Sequence, residues 1–469
     1  MNNFLDQQTF HLIGIKGVAM TALALILVDM GKTVTGSDVK EIFQTDLFLK
    51  QRQIKVFTNF SKDNIKFSQV VIYSAGHNAR KNIEVKEAIR QKKIVLCLAQ
   101  VIGYLTSLKE NVSICGSHGK TTTTALISFV FDELGLFPSY LVGSAGFMDR
   151  ESGKWGNGDL FISEADEYLA DPDKYRISKF LFFNPKYLIC TNIDFDHPDF
   201  FSNLAQVKQA FLEFFKKLNP AGKLIINGDD GALLNLAKKS NKPFLSYGFS
   251  VKNDYVIVRD SLSFHVLFQD KLLAKITPKL MGRCNMLNIT ASVILFDLLK
   301  VDLKQAVAKL EKFKGARRRL ELIDSINDNL IFDDYAHHPT EIEASIEAIK
   351  SSYPNYKIAV CFQPHTYSRT KRLLNEFGGV FEKVDYLGLL PIFASAREKI
   401  DKEVSSDKII EKVNSKVSKL MLKTDQDWLK LVQETQASNK NWIYITMGAG
   451  DVYEKTSLLS KYLHEQHSG

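Results

Sequence analysis

Cysteine is scarce in this 469-residue chain, and what there is does not pair. The five cysteines, Cys97, Cys115, Cys190, Cys284 and Cys361, are an odd number without a C-x-x-C spacing, which argues against a disulfide framework. They read as buried, reduced thiols. Long apolar runs are also missing. The longest, Ala22 to Val28, is cut off by Asp29, far short of the ~18 residues of a membrane span. The first residues are polar and lack a basic n-region, so no signal peptide, no membrane partner and a cytoplasmic location are expected. There is no internal repeat, low-complexity tract or heptad stretch. Nor is charge of one sign gathered anywhere. The net charge of +8 is spread along the chain, which fits a solvated basic surface and gives no reason to expect a nucleic-acid partner. What remains is 45% hydrophobic and 24% charged material, ordinary for globular protein and long enough for about three domains.

The order of segments is that of an α/β protein. Thr9 to Ile15, the turn Gly14-Ile15-Lys16-Gly17, a helix to Met30, Lys32 to Gly36 and then Asp38 make a βαβ unit. This is similar to a dinucleotide fingerprint, with Ala19 where a further glycine could stand. Strands follow at Val70–Tyr73 and Ile94–Cys97, which gives a first Rossmann-like domain over 1–107, with Leu108–Asn111 as linker. A second block, 108–314, has strands near Val112, Leu160–Ser163, Tyr187–Thr191 and Lys223–Asn227, spaced for a mainly parallel sheet, and antiparallel hairpins over Asp254–Ile276. The third, 315–469, is again Rossmann-like, with strands at Leu330–Phe332, Ile358–Phe362, Tyr386–Leu390 and Trp442–Thr446.

At the start of the second block, Gly116-Ser117-His118-Gly119-Lys120-Thr121-Thr122 ends an apolar strand and opens a helix. Two glycines let the backbone approach phosphates, unpaired helix N–H groups face them, and Lys120 adds a point charge. Thr121 offers a hydroxyl to Mg²⁺. The spacing G-x-x-G-K-T is shorter than the usual phosphate loop. Ligands in open α/β sheets gather beyond the carboxyl ends of strands, where two acidic clusters stand. In Glu164-Ala165-Asp166-Glu167, a continuing strand would point Glu164 and Asp166 the same way. Glu164 suits a divalent ion, or else the group caps a helix. In Asn192-Ile193-Asp194-Phe195-Asp196-His197, His197 is either a ligand or one half of a structural Asp–His pair. The third block offers Asp333-Asp334-Tyr335-Ala336-His337-His338 and Gln363-Pro364-His365-Thr366-Tyr367-Ser368-Arg369, polar loops of the kind that line sites. No third ligand at zinc-site spacing accompanies the two histidines. Arg317-Arg318-Arg319 is either a solvated stretch or an anion contact.

Taken in order, these motifs, together with Gly36-Ser37-Asp38, Ser395-Ala396-Arg397-Glu398 and Met447-Gly448-Ala449-Gly450-Asp451, resemble the Mur ligase family over nearly the whole chain. The resemblance implies a sugar-nucleotide domain, a central ATPase and a closing C-terminal domain. It also implies ATP-dependent joining of L-alanine to UDP-N-acetylmuramate through an acyl phosphate, in peptidoglycan synthesis. On matching positions it puts ATP phosphates at Gly116 to Thr122, adenine near Asn285 and ribose near Asp334. Mg²⁺ falls to Thr121, Glu164 and His197, and UDP contacts to Gly17, Asp38, Ser74 and His77. Lys120, His338, His365 and Arg369 are the expected catalytic and amino-acid-orienting groups. Ala19 and Cys284 depart from the family's usual glycine and histidine.

Overall fold

The computed structural model describes residues 4–394, 400–436 and 441–467, so Ser395-Ala396-Arg397-Glu398 lies outside the described residues. The chain divides into two compact units. The first comprises Met1–Phe195, Phe200–Lys279 and Asn285–Arg317, the second Asp196–Asp199, Leu280–Cys284 and Arg318–Gly469.

The first unit holds two large sheets. One has five parallel strands in the order Lys55–Phe57, Thr33–Ser37, Thr9–Ile13, Val70–Tyr73, Ile94–Cys97. Val70–Tyr73 is buried along its whole length, as a parallel strand covered by helices on both faces must be. The other has ten strands. Glu110–Cys115 lies in its middle, between Leu160–Glu164 and Tyr187–Cys190, and pairs parallel with both. Antiparallel pairing is confined to the edges, among Tyr255–Asp260, Ser263–Phe268 and Lys271–Ile276 on one side and Ser139–Leu141 with Gly153–Lys154 on the other. One apolar core runs through this unit, from Leu23 and Ile26 through Val101 and Ile102 to Phe211 and Phe214. Helix Lys120–Glu133 is buried on nearly every face despite its threonines. Thr123, Thr124 and Ser128 turn their hydroxyls back onto the carbonyls four residues earlier, so those three need no water.

The second unit is built on six strands in the order Glu321–Ile326, Asn329–Asp334, Trp442–Met447, Lys357–Phe362, Tyr386–Leu389, Ser418–Met421, parallel except for the first pair. Apolar clusters cover both faces, around Phe362 and Phe377 on one and Trp428 and Tyr444 on the other.

Four expectations change. Glu110 and Asn111 are not linker but the first residues of a central strand, because the Asn111 amide bonds Phe161 O and Ser163 Oγ across the sheet. The strand Leu160–Glu164 stops at Glu164, so Asp166 does not share its face. Asp166 instead meets Lys179 at 2.6 Å. Cys284 is exposed, while the other four cysteines are buried. Arg318 is not solvated. It is buried, its guanidinium donating to Asp333 and to the carbonyls of Gly448 and Gly450, and it lies over the rings of Tyr335 and Tyr453.

Candidate functional site

The phosphate loop is fixed by its neighbours in the ten-stranded sheet. Gly119 has φ +84° and caps helix Lys120–Glu133, a left-handed conformation that L side chains disfavour. A Cβ there would come within 2.6 Å of Asn288 Oδ1, and one on Gly116 within 2.1 Å of Thr191 Oγ1. The loop is also clamped by the segment after strand Tyr187–Cys190. His118 N donates to Asn192 Oδ1 (2.9 Å), Asn192 Nδ2 donates to His118 O (3.0 Å), and Asp194 N donates to Ser117 Oγ (2.8 Å). The His118 ring stands 3.2 Å from Asp194 Oδ2. The first-turn amides of Lys120, Thr121 and Thr122 therefore face outward from a rigid cradle, where a helix start favours anions.

Lys120 folds over this cradle. Its Nζ donates to the carbonyls of Gly116 and Ser117 and to Glu167, 2.9 Å from Oε2. Burial opposes its charge, but Glu167, then Asp166 and Glu164, outweigh burial and raise its pKa, so it stays an ammonium. Thr121 Oγ1 donates to Glu164 Oε1 at 3.2 Å, and the other carboxylate oxygen accepts from Gly143 N at 2.9 Å. A Cβ on residue 143 would sit 2.4 Å from that carboxylate, so the glycine makes room for it. A hydroxyl and a carboxylate held side by side are hard oxygen donors of the kind Mg²⁺ takes. Asn285 Oδ1 accepts from Asn288 Nδ2 at 3.2 Å, which ties the expected adenine residue to the one that abuts Gly119.

Gly17, Asp38, Ser74 and His77 converge on the five-stranded sheet. Gly17 caps helix Val18–Asp29. Asp38 accepts from Lys16 N (2.7 Å) and Val39 N (2.8 Å), with His77 Nε2 at 3.4 Å. The space a side chain at Gly14 would need is taken by His77 and Ser74 Oγ.

In the second unit, His338 caps helix Pro339–Ser352, accepting from Thr340 N. Arg369 donates through Nε (3.1 Å) and Nη2 (2.8 Å) to Asp196 Oδ1 and through Nη1 to His365 Nδ1 (3.2 Å). Burial by itself would raise the Asp196 carboxyl, but Arg369 first, then His197, His337 and His338, hold it well below its ordinary range. His337 is pushed down to about 4 by burial and by the Arg369 charge. His197, whose backbone φ is +58°, lies in this unit with Nε2 3.8 Å from Asp196 Oδ2. Asp334, bonded by Ser345 Oγ and Ala336 N, is raised to about 6, chiefly by burial. A carboxyl that holds its proton more tightly when folded costs stability as pH rises from about 4 through about 6. Asp334→Asn is therefore expected to stabilise the protein by about 2–3 kcal/mol at pH 7.5 and by much less at pH 4.5. Denaturant unfolding at the two pH values checks this.

Three family patterns match the chain in turn: the Mur ligase family catalytic domain over 9–110, the Mur ligase middle domain over 114–296, and the Mur ligase glutamate ligase domain over 318–450. A UDP-N-acetylmuramate--L-alanine ligase of Endomicrobium trichonymphae is 33% identical over 457 residues, 96% of this chain and 98% of that protein. The chain belongs to the Mur ligase family. A protein of the same description from Streptococcus equi subsp. zooepidemicus is 35% identical over 461 residues, covering 96% and 97%. Among solved structures, a UDP-N-acetylmuramate-alanine ligase from Thermotoga maritima superposes with a TM-score of 0.80 at 24% identity, covering 98% of this chain and 99% of that one. A murein peptide ligase from Psychrobacter arcticus gives 0.74 at 23%, covering 97% and 98%. The fold is thus that of the three-domain Mur ligases.

In this Mur ligase the sequence motifs named the loop and Glu164 but gave no part to Glu167, Asn192, Asp194 or Asn288. The first three stand inside motifs already singled out, and Asn288 lies one helical turn beyond Asn285. That spacing was the available signal.

Proposed function

We propose that this chain is an ATP-dependent ligase that joins L-alanine to UDP-N-acetylmuramate, giving UDP-N-acetylmuramoyl-L-alanine, ADP and phosphate. It acts in the cytoplasm, in the peptidoglycan synthesis that cell-wall growth, cell shape and division require. The observation that carries the reading is the meeting of Lys120, Thr121 and Glu164 at one rigid loop, in a chain about a third identical to ligases of that name. Residues 1–107 hold the sugar nucleotide through Gly17, Asp38, Ser74 and His77. Residues 108–314 hold ATP, its phosphates on Gly116, Ser117, His118, Gly119, Lys120, Thr121 and Thr122 and its adenine near Asn285. Residues 315–469 close the site and meet the ribose near Asp334. Thr121, Glu164 and His197 would hold Mg²⁺, and the ion would neutralise charge on the phosphates.

The lactyl carboxylate oxygen attacks the γ-phosphorus of ATP and ADP leaves, giving an acyl phosphate. Lys120 turns from Glu167 toward the phosphates and offsets the charge that develops. The deprotonated amine of L-alanine then attacks the acyl carbon, and phosphate departs as the amide forms. His338, His365 and Arg369 hold the amino-acid carboxylate or orient its amine, which makes the second attack effectively intramolecular. Phosphate release from ATP with UDP-N-acetylmuramate present tests the reading. L-Alanine is expected to support turnover better than glycine, L-serine or the stem tripeptide. Preference for tripeptide, or no alanine-dependent release, overturns it.

A further inference from the structure

The first unit buries a carboxylate that the reaction above does not use. Glu84, on helix Ile83–Arg90, has no accessible surface, nor do His11 and Ser37 beside it. Glu84 Oε2 accepts from Ser37 Oγ and stands 3.4 Å from His11 Nε2. Its Oε1 accepts from Ser61 N (3.0 Å) and Asn64 Nδ2 (2.7 Å). The other nitrogen of His11 is 2.9 Å from Thr35 Oγ1. Taking a carboxylate out of water is costly unless each lone pair is met. Here four groups meet it, and they come from three different segments of the domain.

Ser37 is where this network touches the sugar-nucleotide site. Its carbonyl accepts from Gly14 N (2.8 Å) and Ile15 N (3.3 Å) in the glycine turn, and its peptide leads directly to Asp38. One residue therefore holds the turn by its backbone, holds Glu84 by its side chain and carries the Asp38 carboxylate next in the chain.

We propose that Glu84 is a positioning residue for the sugar nucleotide: by fixing Ser37 it sets the Gly14–Gly17 turn and the Asp38 carboxylate in the geometry that receives the uridine diphosphate. This rests on the reading of the Gly17, Asp38, Ser74 and His77 cluster given above. Glu84→Gln keeps the volume and the acceptor for Ser61 N but removes the charge that Ser37 and His11 face. Its dissociation constant for UDP-N-acetylmuramate, measured by calorimetry on the intact enzyme, is expected to rise about 10-fold, as is the KM for that substrate. The KM values for ATP and L-alanine and kcat at saturation should stay within about twofold. Ser37→Ala should give a similar rise, and the double variant no more than either single one, because both changes break the same contact. If Glu84→Gln does not fold, Ser37→Ala alone decides. Unchanged affinity in the folded variants, additive losses, or an equal fall in kcat overturns the proposal. Failure of the wild-type enzyme to bind UDP-N-acetylmuramate at all overturns instead the reading on which it rests.

Discussion

Lys120→Ala is expected to lower kcat by about a thousandfold, with binding of UDP-N-acetylmuramate unchanged within about twofold. The ammonium is the one charge built into the phosphate loop, and it is kept ionised by the carboxylates packed on it, Glu167 foremost. Phosphoryl transfer leaves the protein little to do beyond positioning and neutralising charge, so nothing nearby can replace it. The residues proposed for the sugar nucleotide, Gly17, Asp38, Ser74 and His77, stand on a different sheet, five-stranded and separately ordered. The substitution also takes from Glu167, a buried carboxylate, the ammonium 2.9 Å away, which costs about 3–5 kcal/mol where the carboxylate stays ionised. Lys120→Ala with Glu167→Gln removes both charges, so its unfolding midpoint should recover while kcat stays low. Single-turnover phosphate release, calorimetric titration with the sugar nucleotide and thermal unfolding of the two variants together test this. Parallel loss of both activities in a folded variant would contradict the separation of the two sites.

The second large effect is expected at Arg369. Its guanidinium is committed on three nitrogens, two to Asp196 and one to His365, and both members of the ion pair are nearly inaccessible. Removing one partner of such a pair costs more than removing both, because the survivor keeps its desolvation penalty. Arg369→Met should therefore lower the unfolding free energy by about 3–5 kcal/mol, and Arg369→Met with Asp196→Asn by clearly less. The loss in the single variant should shrink at low pH as Asp196, no longer held down by the arginine, takes up a proton. The same change removes the Arg369 Nη1 contact from His365, whose ring also lies against Phe393 and edge-on to His337. Catalysis should fall even where the variant remains folded, with the KM for L-alanine rising more than that for ATP. Urea unfolding at pH 7.5 and pH 5, with steady-state kinetics on the same preparations, separates the two contributions.

The motifs were legible in the sequence because each is local. A glycine turn, a helix start and a lysine occupy seven consecutive residues, and backbone geometry alone makes that stretch an anion cradle. The strand order was legible in part, since fully apolar runs such as Val70–Tyr73 suit only a parallel strand covered on both faces. Where Leu160–Glu164 ends was not legible. The chain Glu164-Ala165-Asp166-Glu167 reads as alternation, yet the strand stops and sends Glu164 to Thr121, Asp166 to Lys179 and Glu167 to Lys120. Arg318 shows the same limit. Three adjacent arginines read as either a solvated stretch or an anion contact, and only the fold shows the carbonyls of Gly448 and Gly450, some 130 residues on, taking up donors of Arg318.

By itself, then, the sequence determined the three-part α/β order, the phosphate loop and the identity of the residues at the strand ends, all of which depend on backbone preference and the spacing of apolar residues. The tertiary structure alone decided which carboxylate meets which cation: Glu167 for Lys120, Asp196 for Arg369, and Glu84 held beneath the turn that leads to Asp38. The physical reason is that a buried charge is tolerated only where several distant segments meet it at hydrogen-bond distance. That condition is set by how the sheets bring those segments together and leaves no mark in the spacing of residues along the chain.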